Sequence, residues 1–115
     1  GVDARIIHLA KAAPLEADLL EADLVVNCTT VGMWPRVDES PWPADVAFPR
    51  GAVVYDMIYR PARTRLMAQA EAAGLQAVGG LGMLARQGAA AFALWTGQDA
   101  PLEVMFAAAH AALGE

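Results

Sequence analysis

Two short β-branched runs, each ending in a polar residue, place the strongest constraint on how this chain can fold. The runs are Leu24-Val25-Val26-Asn27-Cys28 and Ala52-Val53-Val54-Tyr55-Asp56. Strands that are apolar on both faces are typical of parallel sheets, because helices cover the two sides of such sheets. Segments of helical composition occur at residues 64–73, 83–95 and 102–113. This alternation predicts an α/β fold with a parallel sheet flanked by helices, the last two at the carboxyl end.

The ends of the predicted elements are marked by turn and capping residues. Thr64 is expected to cap the helix that follows it, and Gly74 is expected to end that helix. Residues 29–50 contain four prolines and are predicted to form a long loop. Shorter elements are predicted as strands at residues 4–9 and 75–78 and a helix at residues 15–21.

Composition excludes several classes of protein. Apolar residues make up 57% of the 115 residues, which excludes a disordered chain. Every apolar run is shorter than the roughly 18 residues of a membrane-spanning helix, so we expect no membrane partner. With a net charge of −5 and no cluster of basic residues, we expect no nucleic-acid partner. The single cysteine, Cys28, excludes an intramolecular disulfide and a cysteine-based zinc site, and it fits a cytoplasmic protein.

Polar residues and glycines follow each of the three central strands. The segments are Asn27–Met33, Asp56–Tyr59 and Gly79–Met83. In open parallel sheets, ligands bind outside the carboxyl ends of the strands. The sequence therefore predicts a ligand site where these three loops meet at one edge of the sheet.

Each loop also has a purely structural explanation. Residues 27–30 can form a turn in which the Asn and Thr side chains bond to their own backbone. Residues 57–59 can be core residues beneath the loop, with Asp56 capping the turn. Residues 80–82 lack the third glycine of a dinucleotide-binding fingerprint, and Gln87 can simply face solvent.

The remaining candidates favour structural roles. Trp34 and Trp42 adjoin prolines and are predicted to cover the core. His8 and His110 are far apart in the sequence, and no histidine lies near the acidic residues of the long loop. We therefore expect no metal site.

Taken in order, three motifs closely resemble the carboxyl-terminal half of the shikimate dehydrogenase family. They are N-C-T-T-V-G-M, V-Y-D-M-I-Y-R-P and G-G-L-G-M-L-A-R-Q-G, and the resemblance runs from about Asp23 to the end. This family reduces 3-dehydroshikimate to shikimate with NADPH, on the route to chorismate and aromatic amino acids. The resemblance implies a partial Rossmann-like sheet. Residues 1–82 would be the carboxyl-terminal part of the NADP-binding domain, and residues 83–115 would be helices that pack towards an amino-terminal substrate domain.

The resemblance also implies roles for six residues. Tyr59 and Gln87 would bind shikimate. The cofactor NADP would be bound by Thr29, Met33, Met57 and Gly80. The catalytic lysine and aspartate of the family belong to its amino-terminal domain, so Lys11 is not assigned as a base. We expect this chain to be a piece of the enzyme that is inactive alone.

Two other functions stay open at this point. One is a quinate/shikimate dehydrogenase that uses NAD, and the other is a non-catalytic nucleotide-binding module. A homodimer is also compatible with the resemblance. If the last helices pack towards a further domain, exposed apolar surface should gather on residues 4–9 and 83–113.

Overall fold

The computed structural model describes Ala4 and residues 20–114. In chain order the elements are β1 (Leu24–Asn27), β2 (Val53–Asp56), α1 (Arg65–Ala72), β3 (Gln76–Val78), α2 (Leu81–Thr96) and α3 (Leu102–Ala112). The predicted α/β fold class is confirmed. The strand predicted at residues 4–9 and the helix predicted at residues 15–21 fall mostly outside the described residues.

The three strands form a parallel sheet in the order β1-β2-β3, so β2 lies in the centre. Asn27 pairs with Asp56 at the end of the strands, and Tyr55 pairs with Val78. In this register the carboxyl ends of the three strands lie side by side. The loops that follow them therefore start next to one another, as the sequence predicts.

Helix α1 connects β2 to β3 and covers one face of the sheet. Thr64 caps it, since the Thr64 side chain accepts a hydrogen bond from the Met67 N–H at 3.2 Å. Gly74 follows the helix with a φ of +80°, a left-handed conformation that glycine adopts without strain. Leu66, Met67 and Ala70 are buried. Both the predicted cap and the predicted stop are confirmed.

The core lies between α1, one face of the sheet and the long loop. Trp42 from this loop is buried, stacks on Phe48 with ring centroids 4.5 Å apart, and donates its indole N–H to the Val46 carbonyl at 2.9 Å. The prediction that Trp42 covers the core is therefore confirmed. The buried members of the core are Trp42, Val54, Leu66 and Ala70, with Val25, Val46, Phe48, Leu75 and Ala77 packed against them.

Helices α2 and α3 pack against each other. The Arg86 guanidinium on α2 lies 5.3 Å from the Phe106 ring centre on α3, and a Cβ on Gly88 would lie 3.1 Å from the Met105 methyl carbon. Helix α2 begins at Leu81, two residues before the predicted start. Within residues 20–114, neither helix packs on the sheet or on α1.

The outer surface of these two helices is apolar. Ala85 is their one buried residue within the described part of the chain, whereas Leu94 and Trp95 are 84% and 85% exposed. Val104 on α3 is also exposed. These helices are exposed as predicted, but the exposed apolar side chains do not gather there. Most of the large ones in the described range lie in residues 20–59, including Leu24 and Val26 of β1. Residues 5–9 lie outside the described range. No helix in the described part of the chain is long and apolar enough to cross a membrane.

Candidate ligand site at the carboxyl edge of the sheet

A buried hydrogen-bond network holds the carboxyl ends of β1 and β2 together. Asn27 Nδ2 donates to Asp56 Oδ1 at 3.1 Å, and Thr64 Oγ1 donates to Asp56 Oδ2 at 2.7 Å. The Ile58 N–H also donates to Asp56 Oδ1, at 3.0 Å. Asp56 is fully buried and accepts all three bonds. Asp56 thus connects β1, β2 and the start of α1. Because the bond from the Ile58 N–H closes the turn that begins at Asp56, the expectation that Asp56 caps its own turn is confirmed.

The loop after β1 is ordered by its own polar side chains. The Thr29 N–H and hydroxyl both donate to Asn27 Oδ1, at 3.0 and 2.7 Å, and the Val31 N–H donates to Thr29 Oγ1 at 3.1 Å. The turn explanation for Asn27 is therefore confirmed. Because the Thr29 hydroxyl proton is already used, this side chain offers a ligand only a lone pair. Gly32 has a φ of +98° and a Cβ there would lie 3.0 Å from the Glu39 carbonyl oxygen, so the fold of the loop itself requires this glycine.

The central loop, residues 56–60, is bonded to both neighbouring loops. The Met57 N–H donates to the Asn27 carbonyl at 3.1 Å. On the other side, the Gly80 N–H donates to the Ile58 carbonyl at 3.0 Å. The convergence of the three loops that the sequence predicts is thus built from backbone hydrogen bonds to β2 and its loop.

Gly80 permits the closest of these approaches. A Cβ at this position would lie 2.0 Å from the Met57 carbonyl oxygen and 2.5 Å from its carbon. Only a residue without a side chain fits there, because the neighbours are backbone atoms that cannot turn away. Gly80 is buried, and it packs beneath the central loop.

A cavity of about 530 Å³ opens between the first loop, the central loop and the end of α3. Met57 and Tyr59 line it and are 36% and 42% exposed, whereas Ile58 between them is 6% exposed. The core explanation is therefore correct for Ile58 and wrong for Met57 and Tyr59. The lining residues are Thr29, Met33, Trp34, Met57, Ile58, Tyr59, Arg60, Ala112 and Leu113.

The cavity combines an apolar wall with a few polar groups. Met33 and Met57 supply polarizable side chains suited to the face of a planar ring. The Tyr59 hydroxyl can donate or accept a hydrogen bond, and Arg60 is the one charged residue in the lining. Residues 20–114 hold no cluster of His, Cys, Asp and Glu able to bind a metal ion. The arrangement suits an organic ligand with a flat apolar part and a polar or anionic part.

Two of the six residues implied by the resemblance lie outside this lining. Gly80 is buried and contacts the backbone of residues 57–58. Gln87 is exposed on α2. Thr29, Met33, Met57 and Tyr59 share the cavity.

Sequence reasoning missed four residues of this cavity, Trp34, Arg60, Ala112 and Leu113, and it placed Trp34 wrongly. Trp34 was expected to cover the core, but it is 54% exposed and lines the cavity. Its neighbouring proline resembles that of Trp42, which does enter the core, so the two indoles were indistinguishable by local composition. The positions of Trp34 and Arg60 in the sequence did point to the cavity. Trp34 directly follows Met33 and Arg60 directly follows Tyr59, and Met33 and Tyr59 are both predicted to bind a ligand.

Comparison with known proteins shows which enzyme family this chain resembles. The model of the Shikimate 5'-dehydrogenase C-terminal domain family matches residues 80–109, which contain α2 and much of α3. A shikimate dehydrogenase (NADP(+)) of Moorella thermoacetica is 44% identical over 114 residues, covering 99% of this chain and 38% of the relative. The resemblance to the carboxyl-terminal half of shikimate dehydrogenase is confirmed.

Solved structures of the family share this fold. A shikimate 5-dehydrogenase from Thermus thermophilus in complex with NADP(H) and shikimate has a TM-score of 0.75 and 44% identity, over 85% of this chain and 37% of that chain. A shikimate 5-dehydrogenase from Listeria monocytogenes in complex with shikimate and NAD has a TM-score of 0.77 and 34% identity, over 88% of this chain and 35% of that chain. The chain therefore spans little more than a third of the length of the relatives it matches. Their Rossmann-like fold agrees with the partial sheet found here.

Proposed function

We propose that this chain forms part of an NADP-dependent shikimate dehydrogenase, an oxidoreductase that reduces 3-dehydroshikimate to shikimate in chorismate and aromatic amino acid biosynthesis. One observation carries the proposal. Thr29, Met33, Met57 and Tyr59 come from two separate loops and line one cavity at the carboxyl edge of a parallel sheet. The similar Thermus protein, 44% identical, is described with both NADP(H) and shikimate bound.

The cavity fits the nicotinamide part of NADP. Met33 and Met57 provide an apolar surface for a flat ring, and Thr29 provides a hydrogen-bond acceptor beside it. When bound, NADP(H) supplies the hydride of the reaction. We assign Gly80 a supporting role in this binding, because its N–H donates to the Ile58 carbonyl next to Met57.

Shikimate would be bound by Tyr59 and Gln87. The phenolic hydroxyl of Tyr59 stands at the cavity, where it can hydrogen-bond to a hydroxyl or carboxylate group. Gln87 projects from α2 with an exposed amide that can both donate and accept. These two side chains would orient the substrate against the cofactor, which is the main requirement for transfer of a hydride.

Proton transfer is assigned to no residue of this chain. The lysine and aspartate that the family uses have no counterpart in the three motifs, and we propose that another part of the enzyme supplies them. Residues 1–82 would then belong to the NADP-binding domain, and residues 83–115 would pack towards the substrate domain. The apolar exposed residues of α2 and α3 support this division.

The proposed function is tested with the native protein that carries this sequence. We expect shikimate-dependent reduction of NADP+, followed by the absorbance of NADPH. The 115-residue chain alone should show none, because it lacks the proton-transferring pair. A native protein that does not oxidise shikimate would contradict the proposal.

Gln87→Ala tests the substrate site in the same protein. Loss of one substrate hydrogen bond should weaken transition-state binding by about 1–3 kcal/mol, and kcat/KM for shikimate should fall accordingly. Gln98→Ala is a matched control, since Gln98 is exposed after the end of α2. An unchanged kcat/KM for Gln87→Ala would remove Gln87 from the site.

The choice between NADP and NAD is a second candidate to test. The Listeria protein, 34% identical to this chain, is described with shikimate and NAD, which favours an NAD-using quinate/shikimate dehydrogenase as the alternative. Comparing turnover of shikimate and quinate with each nucleotide separates the two. A non-catalytic nucleotide-binding module would bind nucleotide without turnover. The homodimer and the cytoplasmic location stay predictions, the first of which sedimentation of the native protein would test.

A further inference from the structure

Trp34 and Arg60 form a pair in the lining of the cavity. The Arg60 guanidinium carbon lies 4.4 Å from the centre of the Trp34 ring, within the range of a cation–π interaction. The backbone N–H of Trp34 also donates to the backbone carbonyl of Arg60 at 2.9 Å. One contact depends on the side chains and the other on the backbone, and both join the first loop to the central loop.

Each member of the pair follows a residue assigned to ligand binding. Met33 precedes Trp34, and Tyr59 precedes Arg60. Because a Cα and its neighbour are joined by a rigid peptide unit, fixing Trp34 against Arg60 also limits how far Met33 can move from Tyr59. Both members of the pair line the cavity themselves.

The residue types suit this role. Tryptophan is the aromatic residue that binds a cation best, and the planar, weakly hydrated guanidinium stacks on it better than an ammonium group does. Trp34 is 54% exposed, so burial in a core does not hold its ring. Arg36, two residues along the same loop, instead lies 3.9 Å from Glu39.

We propose that Trp34 and Arg60 are positioning residues that set the separation of Met33 and Tyr59, and thereby the width of the ligand cavity. This inference rests on the proposed function for the identity of the ligands, NADP and shikimate. The pair acts through its neighbours and takes no part in hydride or proton transfer.

A double-mutant cycle in the native protein tests the proposal. Trp34→Ala and Arg60→Ala should each raise KM for NADP+ and shikimate about two- to fivefold, the factor that an exposed cation–π contact supplies. The change in kcat should be smaller. The double variant should be little worse than either single variant, because both remove the same interaction.

Conservative variants separate positioning from general loss of structure. Trp34→Phe keeps an aromatic face and Arg60→Lys keeps a cation, so each should recover most of the lost affinity. Arg36→Ala is the matched control, because it removes an exposed arginine of the loop that carries Trp34, and this arginine lies 3.9 Å from Glu39. Independent effects of the two alanine substitutions, multiplying in the double variant, would overturn the proposal.

A magnetic-resonance measurement decides the pair independently of enzyme activity. The side-chain protons of Arg60 should be shifted upfield by the Trp34 ring, and Trp34→Ala should abolish this shift. Arg60→Ala should move the methyl signal of Met33 while leaving that of Leu66, a core residue, in place. An unshifted Arg60 spectrum in the wild type overturns the pair. A native protein that does not oxidise shikimate overturns the proposed function. The spectra still decide, in that case, whether the pair positions Met33.

Discussion

Residues 24–80 and the α2–α3 pair are stabilised in different ways. The first region has an apolar core around Val54 and Leu66 and a buried hydrogen-bond network around Asp56. The second has Ala85 as its one buried residue in the described part of the chain, and its helices contact each other along one side. The first region therefore fixes the geometry of the candidate site. The α2–α3 pair exposes apolar surface that residues 24–80 do not cover.

Asp56→Ala should damage the first region most. The substitution leaves the Asn27 amide, the Thr64 hydroxyl and the Ile58 N–H without their buried acceptor. We expect the free energy of unfolding to fall by about 4 kcal/mol, since each unsatisfied buried group costs about 1–3 kcal/mol. Urea denaturation measures this. Asp99→Ala, at an exposed aspartate after α2, should change it by less than about 0.5 kcal/mol.

The same substitution in the two regions compares them directly. Leu66→Ala removes a side chain that is 2% exposed in the core, and Leu94→Ala removes one that is 84% exposed on α2. We expect losses of about 3 kcal/mol for Leu66 and under about 0.5 kcal/mol for Leu94 in the isolated chain. Equal losses would show that the α2 surface is covered in solution. Thermal and urea unfolding both report the difference.

Gly80→Ala should strain the junction between the two regions. Its Cβ would meet the Met57 carbonyl at 2.0 Å, so the backbone must shift at a cost of about 2 kcal/mol. Gly82→Ala is the matched control on the first turn of α2, where the Cβ would meet only the guanidinium end of the Arg86 side chain, at 2.8 Å. That control should be neutral or stabilising by up to about 1 kcal/mol, because alanine favours a helix. A Gly80→Ala protein with the same free energy of unfolding as the wild type would show that the backbone at this junction can shift at little cost.

Local patterns predict most of the fold. The β-branched runs locate β1 and β2, Thr64 caps α1 as predicted, and Gly74 ends it. The start of α2 at Leu81 was missed, because a glycine on either side of it predicts a turn. In the structure the Gly80 carbonyl already accepts a hydrogen bond from the Leu84 N–H, so the helix begins there.

The candidate site was predictable only in part. The sheet topology predicts that the loops meet, but it does not say which side chains face the cavity. All three of Met57, Ile58 and Tyr59 line the cavity, but Met57 and Tyr59 are 36% and 42% exposed and Ile58 is 6% exposed, and no feature of composition separates them. The bonds from Asn27 to Asp56 and from Trp34 to Arg60 join residues that are distant in the sequence. Such contacts arise from the tertiary fold, so local rules do not predict them.

The hydrogen bonds of residues 56–60 also connect the loops along the rim of the sheet. The loop after β1 reaches this segment through Asn27 and Trp34, and the loop after β3 reaches it through Gly80. Residues 56–60 are therefore the segment to which both the loop after β1 and the start of α2 are hydrogen-bonded.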